Sequence, residues 1–551
     1  MRERAANRFI IAAVTGRTRW IEAHSHAGLV ASPHALASDA GAAILRAGGN
    51  ALDAAIATVA TLAVVYPHMN GVGGDNVWLI YDAGRQRLRA LDGTGRAAHT
   101  ATLDTYVRRF GAAIPVRGGA AALTVPGAVS GWWEAHRYSR DVMKSSVAWS
   151  ALLEHGIAHA QDGIEVSAGQ RRVTAATPAL FAAGVADEVR RTLWPVYHPE
   201  RLATGRLTQP ELATTLDAVA RGGAEEFYRG PLGQRVAAGA SAAGSPLSID
   251  DFAKHEATWK EPLRVPYRAG EAASFPPPAQ GFAALAILGL LEGFDVASLD
   301  ELDLVHLTVE ATKLAFEDRD RWLTDPDVVE VPVAVALDRD RLTTQRRLIS
   351  RRAARPAEGV PAGGDTIATV TADGAGNAVS VIQSLYHEFG AGIIAGDTGV
   401  LLQNRGAFFS LDPAHPNRLA PRKRTATTLI PSMYLTGGRP RFVYGTMGGE
   451  GQPQTQAALV TRLVDRGLGP QAAVEAPRWL LGRTWGEPTK ALRLESRFPD
   501  SMAARLRERG HDVQVVEPWS DLMGHAQVVA LDADGLRGGS DPRADGAAKG
   551  W

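Results

Sequence analysis

The sequence predicts a mixed α+β protein whose helices lie mainly in the first two thirds and whose strands dominate the last third. Residues 36–47 and 52–65 have the apolar spacing of helices, and the first run stops at a glycine pair. The middle, from about 145 to 323, keeps a mostly helical pattern. From residue 366 onward, short β-branched runs alternate with turn signals. These three observations predict helices packed on β-sheet.

The individual elements follow from the same patterns in chain order. Residues 77–81 and 87–91 form a predicted strand pair after the two N-terminal helices. Residues 281–291 and 302–322 are predicted helices, and the first is expected to be buried because it is apolar throughout. In the last third, the predicted strands are 366–372, 378–386, 399–403, 441–444 and 527–531, with a helix at 453–466.

Composition excludes several classes of function. The 551 residues include no cysteine, which rules out disulfides, thiolate metal sites and a cysteine nucleophile. Lys plus Arg and Asp plus Glu both total 59, and the short basic cluster 422–424 lacks interleaved aromatic residues and is expected to be a solvated loop. The apolar run 281–291 is too short to span a bilayer. We therefore expect a small-molecule substrate and no nucleic-acid or membrane partner.

Residues 1–27 are expected to form an N-terminal arm. Basic residues precede a short apolar stretch, 9–14, which is shorter than the apolar core of a signal peptide and is followed by Arg17 and Arg19. We therefore expect a cytoplasmic protein. A weak export or targeting signal is the alternative.

Neither a metal nor a cofactor is expected from the sequence. His306 and Glu310 have the spacing of metal ligands on one helix, but no HExxH pattern occurs and this run is expected to be the solvated face of helix 302–322. The glycines of 71–74 do not join a strand to a helix as in a dinucleotide site, and no phosphate-loop lysine accompanies them.

A predicted linker, 342–364, precedes a hairpin that brings two hydroxyl groups together. The linker is basic, then rich in proline and glycine, with almost no apolar periodicity. The turn sequence that follows pairs Asp373 with Asn377 between two alternating β-branched runs. That register places Thr366 opposite Ser384 on one face, with Cβ atoms about 5 Å apart. Such pairs are common in sheets, so the pairing alone does not indicate catalysis.

Six stretches, in order along the chain, carry a resemblance to a known family. Together they resemble the gamma-glutamyltransferase (gamma-glutamyltranspeptidase) family over nearly the whole chain, from about Gly28 to Gly550, whereas any one of them alone is weakly specific. The stretches are GLVASPHALASDAGAAILRAGGNALDAAIATVATLAVVYPHMNGVGGD at 28–75, VPGAVSGWW at 125–133, PPPAQGFAALAILGLLE at 276–292, GDTIATVTADGAGNAVSVIQSLYHEFGAGIIAGDTGVLLQN at 364–404, TMGGEGQPQTQ at 446–456 and SDPRADGAAKG at 540–550.

The resemblance implies an N-terminal nucleophile hydrolase with a four-layer αββα sandwich and a helical large-subunit region. Thr366 would attack the carbonyl carbon of Asp365, and hydrolysis of the resulting ester would give a large subunit, 28–365 preceded by the arm, and a small subunit, 366–551. The freed α-amine, with a pKa near ~8, would then serve as base for the Thr366 hydroxyl. Family members suggest a dimer of such processed units.

The resemblance also assigns roles to residues around the nucleophile. Ser384 occupies the place of a second threonine that hydrogen-bonds the nucleophile. Gly448 and Gly449 match the glycines of the oxyanion hole, whose backbone N–H groups approach the developing charge. Thr427 and Thr428 stand where the family has a serine pair that contacts the substrate carboxylate.

Three positions depart from the family pattern for binding a free amino-acid head group. Thr94 occupies the place of an arginine, Phe408 that of an aspartate, and Tyr386 that of an asparagine. Without those ion pairs, we expect little discrimination in favour of a glutamyl donor. The stretches DGTGRAA, QSLYHEFGAG and LLQNRGAFFSLDP resemble instead the branch that contains oxamate amidohydrolase, which cuts a very small amide bearing its own carboxylate.

Two arginines are candidates for binding that carboxylate, because a guanidinium matches a carboxylate bidentately. Arg405 is the first and Arg96 the second, and a structural salt bridge is the alternative for each, more so for Arg96. Thr94 and Tyr386 are expected to lie in the same pocket. The predicted reaction is hydrolysis of oxamate to oxalate and ammonia, with a nitrogen-scavenging role in purine breakdown implied by the resemblance. The alternatives are a gamma-glutamyl hydrolase or transferase, a cephalosporin-type acylase and a non-catalytic relative.

Overall fold

The computed structural model describes residues 20–182, 185–355, 365–482 and 489–551. The apolar stretch 9–14 and the linker residues 356–364 lie outside these ranges. The strands are, in chain order, β1 (Ala23–Ser25), β2 (Gly28–Ser32), β3 (Asp75–Asp82), β4 (Arg87–Asp92), β5 (Ile164–Glu165), β6 (Arg206–Leu207), β7 (Thr258–Lys260), β8 (Leu263–Tyr267), β9 (Gly270–Ser274), β10 (Asp365–Asp373), β11 (Ala378–Tyr386), β12 (Ser432–Thr436), β13 (Arg439–Thr446), β14 (Trp479–Leu481), β15 (Leu492–Glu495), β16 (Val513–Val516), β17 (Ala526–Asp532), β18 (Gly535–Ser540) and β19 (Ala547–Gly550).

Helices fill most of the first two thirds, as the periodicity predicts. They are α1 (Ala35–Arg46), α2 (Ala51–Val65), α3 (Leu103–Phe110), α4 (Ala128–Asp141), α5 (Glu154–Asp162), α6 (Ala168–Ala176), α7 (Pro178–Phe181), α8 (Asp187–Thr192), α9 (Trp194–Tyr197), α10 (Pro199–Leu202), α11 (Pro210–Tyr228), α12 (Pro231–Ala242), α13 (Ile249–Ala253), α14 (Gly281–Leu291), α15 (Glu301–Trp322), α16 (Val333–Ala336), α17 (Arg339–Arg346), α18 (Gln452–Val460), α19 (Pro470–Glu475) and α20 (Asp500–Glu508).

Two seven-stranded sheets form the centre of the molecule. The first has the strand order β1-β18-β17-β13-β12-β9-β8, and the second has the order β19-β2-β10-β11-β3-β4-β7. Neighbouring strands in both sheets are antiparallel. The hairpin β10–β11 therefore lies in the middle of the second sheet, where both of its strands have partners on each side.

The two sheets pack face to face, with helices on their outer faces. Ala368 and Val370 of β10 share an apolar core with Met433 and Val443 of the first sheet. Ile367 points the other way, into a core built with α2, α4 and other helices. The outer face of the first sheet is covered by α14, α15 and α18. This is the four-layer αββα sandwich that the resemblance implies, and that prediction is confirmed.

Helix α2 ties the hairpin to the helical layer. Its N-terminus is closed by a capping box, in which the Asn50 side chain accepts the N–H of Asp53 and the Asp53 carboxylate accepts the N–H of Asn50. The first helical residue, Ala51, donates its N–H to Asp373 and accepts the hydroxyl of Thr371. The turn end of the hairpin is thereby fixed to the helical layer.

Two segments differ from the predicted secondary structure. Residues 399–403 form only isolated bridges at Leu401 and Leu402 and no strand, because Gly399 takes a left-handed φ of 69° that breaks the extended run. Residues 342–346, assigned by sequence to the linker, belong to helix α17, whose N-terminus is capped by the Asp338 side chain.

Two predictions of solvated surface are wrong. His306 and Glu310 of α15 are fully buried, because this face of the helix is covered by residues 350–355 and by His511. In the basic cluster, Lys423 and Arg424 are buried as well, and the Lys423 ammonium donates to backbone carbonyls.

Within the described ranges, no helix has both the length and the apolarity needed to cross a bilayer.

Candidate active site

The hairpin places the hydroxyls of Thr366 and Ser384 side by side. Ile367 pairs with Gln383 and Ala368 with Ile382, the register that the turn sequence predicts. The Thr366 hydroxyl donates to the Ser384 hydroxyl at 3.3 Å. Both side chains are buried. They lie on the same strand faces as Ala368 and Ile382, so they point towards the space between the two sheets.

A bulge marks the end of the hairpin at which Thr366 lies. Asp365 pairs with Tyr386 out of step with the rest of the ladder, and the shift falls between Asp365 and Ile367. Tyr386 has a left-handed φ of 83°, a strained conformation for a bulky residue, and its N–H donates to the Ser384 hydroxyl oxygen at 2.7 Å. Ser384 is therefore held from the backbone side while it accepts the Thr366 proton.

Strand β13 of the facing sheet runs towards the Thr366 end of the hairpin and is followed by the glycine pair, Gly448 and Gly449. The Ser380 hydroxyl donates to Tyr444 O, and a methyl group built on Gly445 would contact Ile382 and Ala368. Moving along β13 from 444 to 445 thus moves towards Thr366. Gly448 and Gly449 come next, with φ of 126° and 49° respectively. A side chain at either position would be strained, and the turn lies just before helix α18 begins at Gln452.

Asp75 and Arg405 form a buried ion pair beside Ser384. Asp75 is the β3 partner of Ser384 in the ladder, and its Oδ2 accepts the Arg405 Nε–H at 2.9 Å. Its Oδ1 accepts the backbone N–H groups of Gly95 and Gly127 and the Gln403 amide. Burial raises the pKa of Asp75 to about 6, although Arg405 and Gln403 act in the opposite direction. Burial likewise lowers the pKa of Arg405, which Asp75 counteracts.

The Arg405 guanidinium also contacts Thr427, the first residue of the threonine pair 427–428. Nη1 donates to the Thr427 hydroxyl at 2.9 Å, whereas Nη2 has no hydrogen-bond partner among the described residues. The Thr428 hydroxyl, also buried, is unpaired within the same ranges. Unsatisfied buried donors are costly, so one on Arg405, which bonds Thr427, and one on the next residue, Thr428, indicate a place for an acceptor-rich ligand.

Gln280 connects the threonine pair to the glycine pair. Its side-chain amide donates to Thr428 O at 3.2 Å and to Gly449 O at 3.0 Å. Arg319 of α15 donates to the Gln280 carbonyl oxygen at 3.2 Å, which fixes the orientation of the amide. The candidate residues of four separate segments are therefore joined by Asp75 and Gln280, which the sequence patterns did not single out. Both lie inside the family stretches 28–75 and 276–292, which is the only signal in the sequence that points to them.

Arg96 and Thr94 belong to a neighbouring charge network. Arg96 bonds Asp325 at 3.3 Å and Asp327 at 2.6 Å, contacts typical of a structural salt bridge. The Thr94 hydroxyl donates to Asp92 at 2.5 Å. Burial would raise the pKa of Asp92, but nearby cations and the Thr94 hydrogen bonds outweigh it and lower the pKa to about 2. Both side chains are thus engaged with carboxylates of the protein, and their substrate-binding role stays a prediction.

Aromatic residues lie on the Arg405 side of the site. The Tyr386 ring stacks on His387 with centroids 4.4 Å apart and meets Phe408 at 5.5 Å. The Arg405 guanidinium lies 5.6 Å from the centroid of the Tyr386 ring. Two of the three positions that depart from the family pattern, Tyr386 and Phe408, are therefore in mutual contact next to Arg405.

One group of side chains has the composition of a metal site. His306, Glu310 and His511 offer ligand atoms within 4.8 Å of one another. However, the Lys313 ammonium bonds the Glu310 carboxylate at 2.7 Å, and the ring nitrogens of the two histidines are only 2.7 Å apart. The internal cation and the direct histidine pair already satisfy these groups, so they do not indicate a bound ion.

Known proteins resemble this chain in sequence and in fold. Residues 37–551 match the family described as gamma-glutamyltranspeptidase. The chain is 45% identical over 528 residues to the glutathione hydrolase-like YwrD proenzyme of Bacillus subtilis, covering 95% of this chain and 98% of that protein. It is 44% identical over 530 residues to the oxamate amidohydrolase proenzyme of Klebsiella pneumoniae subsp. pneumoniae, with the same two coverages. The crystal structure of cephalosporin acylase from Bacillus halodurans superposes with a TM-score of 0.90 at 35% identity, covering 98% of each chain.

Proposed function

The chain belongs to the gamma-glutamyltranspeptidase family, and from that membership we propose that it cleaves itself before Thr366 and then hydrolyses a small amide that carries its own carboxylate. The protein is an N-terminal nucleophile amidohydrolase, since relatives across its whole length are proenzymes of hydrolases and acylases. Oxamate is the substrate we favour, and oxalate and ammonia are then the products.

Self-cleavage uses the hydroxyl that the hairpin presents. The Thr366 Oγ attacks the carbonyl carbon of Asp365, the peptide bond breaks, and an ester links the two residues. Water then hydrolyses the ester, which gives Asp365 a carboxylate and Thr366 a free α-amine. The products are residues 1–365 and 366–551. The 3.3 Å bond to Ser384 supports this role, because it holds the hydroxyl in one orientation at the bulged end of β10.

Hydrolysis of the substrate repeats the chemistry on an external amide. The α-amine of Thr366, with a pKa near ~8, takes the hydroxyl proton while the oxygen attacks the amide carbon. The backbone N–H groups at Gly448 and Gly449 stabilise the oxyanion, the amide nitrogen leaves as ammonia with that proton, and the acyl ester remains on Thr366. Water hydrolyses this ester, so oxamate and water give oxalate and ammonium.

The observation that carries the substrate class is the pair of unsatisfied donors at Arg405 and Thr428. In the proposed complex, the substrate carboxylate accepts from the Arg405 Nη2 and from the Thr428 hydroxyl, and the Arg405 contact is charge-assisted. The free amino-acid clamp of the family is replaced by Thr94, Tyr386 and Phe408, which offer no formal charge to a zwitterion. The 44% identical relative named for oxamate adds independent support.

Product analysis on purified protein tests the proposal. We expect ammonia from oxamate, none from the Thr366→Ala variant, and little release of aniline from a gamma-glutamyl anilide. On a denaturing gel, wild type should give chains of 365 and 186 residues and Thr366→Ala one chain of 551. Turnover of the anilide but not of oxamate would assign gamma-glutamyl chemistry instead, and an uncleaved but active wild type would refute the whole mechanism.

A further inference from the structure

One face of helix α15 holds three buried polar side chains that the proposed reaction does not use. His306, Glu310 and Lys313 recur at the spacing of successive helical turns, and each is at least nine-tenths buried. Lys313 and Glu310 form an ion pair at 2.7 Å. A buried ion pair is weak support for stability, because desolvation opposes the attraction between the charges. The remaining hydrogen bonds of these side chains indicate a role for the pair other than stability.

Each of the three side chains makes one hydrogen bond to a backbone atom of residues 350–355. His306 Nε2 contacts Ser350 O at 2.7 Å, and the Lys313 ammonium donates to Arg355 O at 2.6 Å. The Glu310 Oε2 accepts the Arg355 N–H at 2.9 Å. Both polar backbone groups of Arg355 are thus bound by one ion pair. We call the three side chains together with residues 350–355 the linker clamp.

The C-terminal part of the chain completes the linker clamp. His511 contacts the His306 ring at 2.7 Å, and Arg509 O accepts the N–H of Ala354 at 2.7 Å. Residues 509 and 511 lie beyond Thr366, whereas α15 and 350–355 precede it. The clamp therefore has its full set of contacts only when both parts of the chain have folded together.

We propose that the linker clamp positions the chain for self-cleavage and makes cleavage wait until the C-terminal part has folded. Arg355 lies ten residues before Asp365, the residue whose carbonyl is attacked. Binding of Arg355 shortens the loop that must close onto β10, and a shorter loop lowers the entropic cost of bringing the chain before Asp365 into the geometry for attack. His306, Glu310 and Lys313 act through Arg355 and are positioning residues; none touches substrate.

The inference rests on the proposed self-cleavage, and a pair of substitutions at one residue isolates it. Arg355→Pro removes the N–H that Glu310 accepts and leaves the buried ion pair intact, whereas Arg355→Ala keeps that N–H. The precursor half-time is measured after synthesis in a cell-free system. We expect Arg355→Pro to lengthen it at least about tenfold and Arg355→Ala to change it by less than about twofold. Once processed, both variants should have the wild-type kcat and KM.

A second variant tests the clamp from the helix side. The double substitution Glu310→Gln with Lys313→Met removes both charges together and so leaves no lone buried charge. We expect slow processing, whereas Glu317→Gln, on the exposed ion pair with Arg355, should process normally. Equal half-times for wild type, Arg355→Pro and the double variant would overturn the inference alone. A wild type that never cleaves would instead overturn the proposed function.

Discussion

The hydroxyl of Thr366 donates to the hydroxyl of Ser384 at 3.3 Å, while the N–H of Tyr386 donates to the same Ser384 oxygen at 2.7 Å. Ser384 is thus the common acceptor for the nucleophile and for a strained backbone position. This arrangement orients the Thr366 oxygen with its lone pairs directed away from Ser384.

Removing this acceptor should impair both cleavage and turnover. Ser384→Ala leaves the buried N–H of Tyr386 without its partner and the Thr366 hydroxyl free to rotate, so we expect kcat to fall roughly 10- to 100-fold. Ser384→Thr keeps the oxygen and should retain most activity. Ser380→Ala, on the same strand and face, is the matched control. Steady-state ammonia release measures all three, and a Ser384→Ala variant with wild-type kcat would contradict the assignment.

Arg405 should determine affinity for the substrate carboxylate. Arg405→Lys keeps a positive charge but cannot bind Asp75 through Nε and the ligand through Nη2 at the same time. We expect KM for oxamate to rise roughly 10- to 100-fold with a smaller change in kcat. Arg96→Lys, in the neighbouring salt bridges, should leave KM within about twofold. A larger rise in KM for Arg96→Lys than for Arg405→Lys would assign the carboxylate site to Arg96.

Gly449 should be intolerant of a side chain. Its φ of 49° is left-handed, and Gly449→Ala would shift the turn that presents the N–H groups to the oxyanion. Loss of one such donor corresponds to about 2.7–4 kcal/mol, so we expect kcat to fall by roughly 10²- to 10³-fold. Gly437→Ala is the control, because Gly437 has a φ of 58° with nothing within 4 Å of an added methyl. Similar kcat losses in the two variants would show general strain and no oxyanion role.

Asp75 and Asp92 should change the free energy of unfolding in two different pH intervals. The pKa of Asp75 is raised from 3.8 to about 6, so the folded state binds its proton more tightly than the unfolded state does. Its contribution to the free energy of unfolding therefore declines as pH rises from about 4 to about 6, by roughly 3 kcal/mol. The pKa of Asp92 is lowered to about 2, so its contribution is present above pH 4 and is lost as pH falls through about 2.

Denaturant unfolding of the uncleaved Thr366→Ala chain checks this pair. The difference in unfolding free energy between that chain and its Asp75→Asn derivative should change between pH 4 and pH 7, with the carboxylate becoming less favourable at the higher pH. The Asp92→Asn difference should be flat over the same interval and change only below pH 4. If the difference in unfolding free energy caused by Asp75→Asn does not change with pH, Arg405 fully compensates the buried charge.

The sequence by itself determined the layers and the nucleophilic hairpin. Apolar periodicity located α1, α2, α14 and α15 within a residue or two, and the turn residues at 373–377 predicted the register from Ile367 inward, next to the Thr366–Ser384 hydrogen bond. Both depend on interactions between residues close in the chain, which is why local patterns contain them. The four-layer arrangement and the family followed from ordered motifs.

Only the tertiary structure decided which polar residues are buried and what they bind. It paired Asp75 with Arg405 across 330 positions, linked Gln280 to Thr428 and Gly449, and buried Glu310 on a face expected to be solvated. The reason is physical: the burial of a charge depends on which distant segments cover it, and a helical spacing such as that of His306 and Glu310 is the same whether that face meets water or protein.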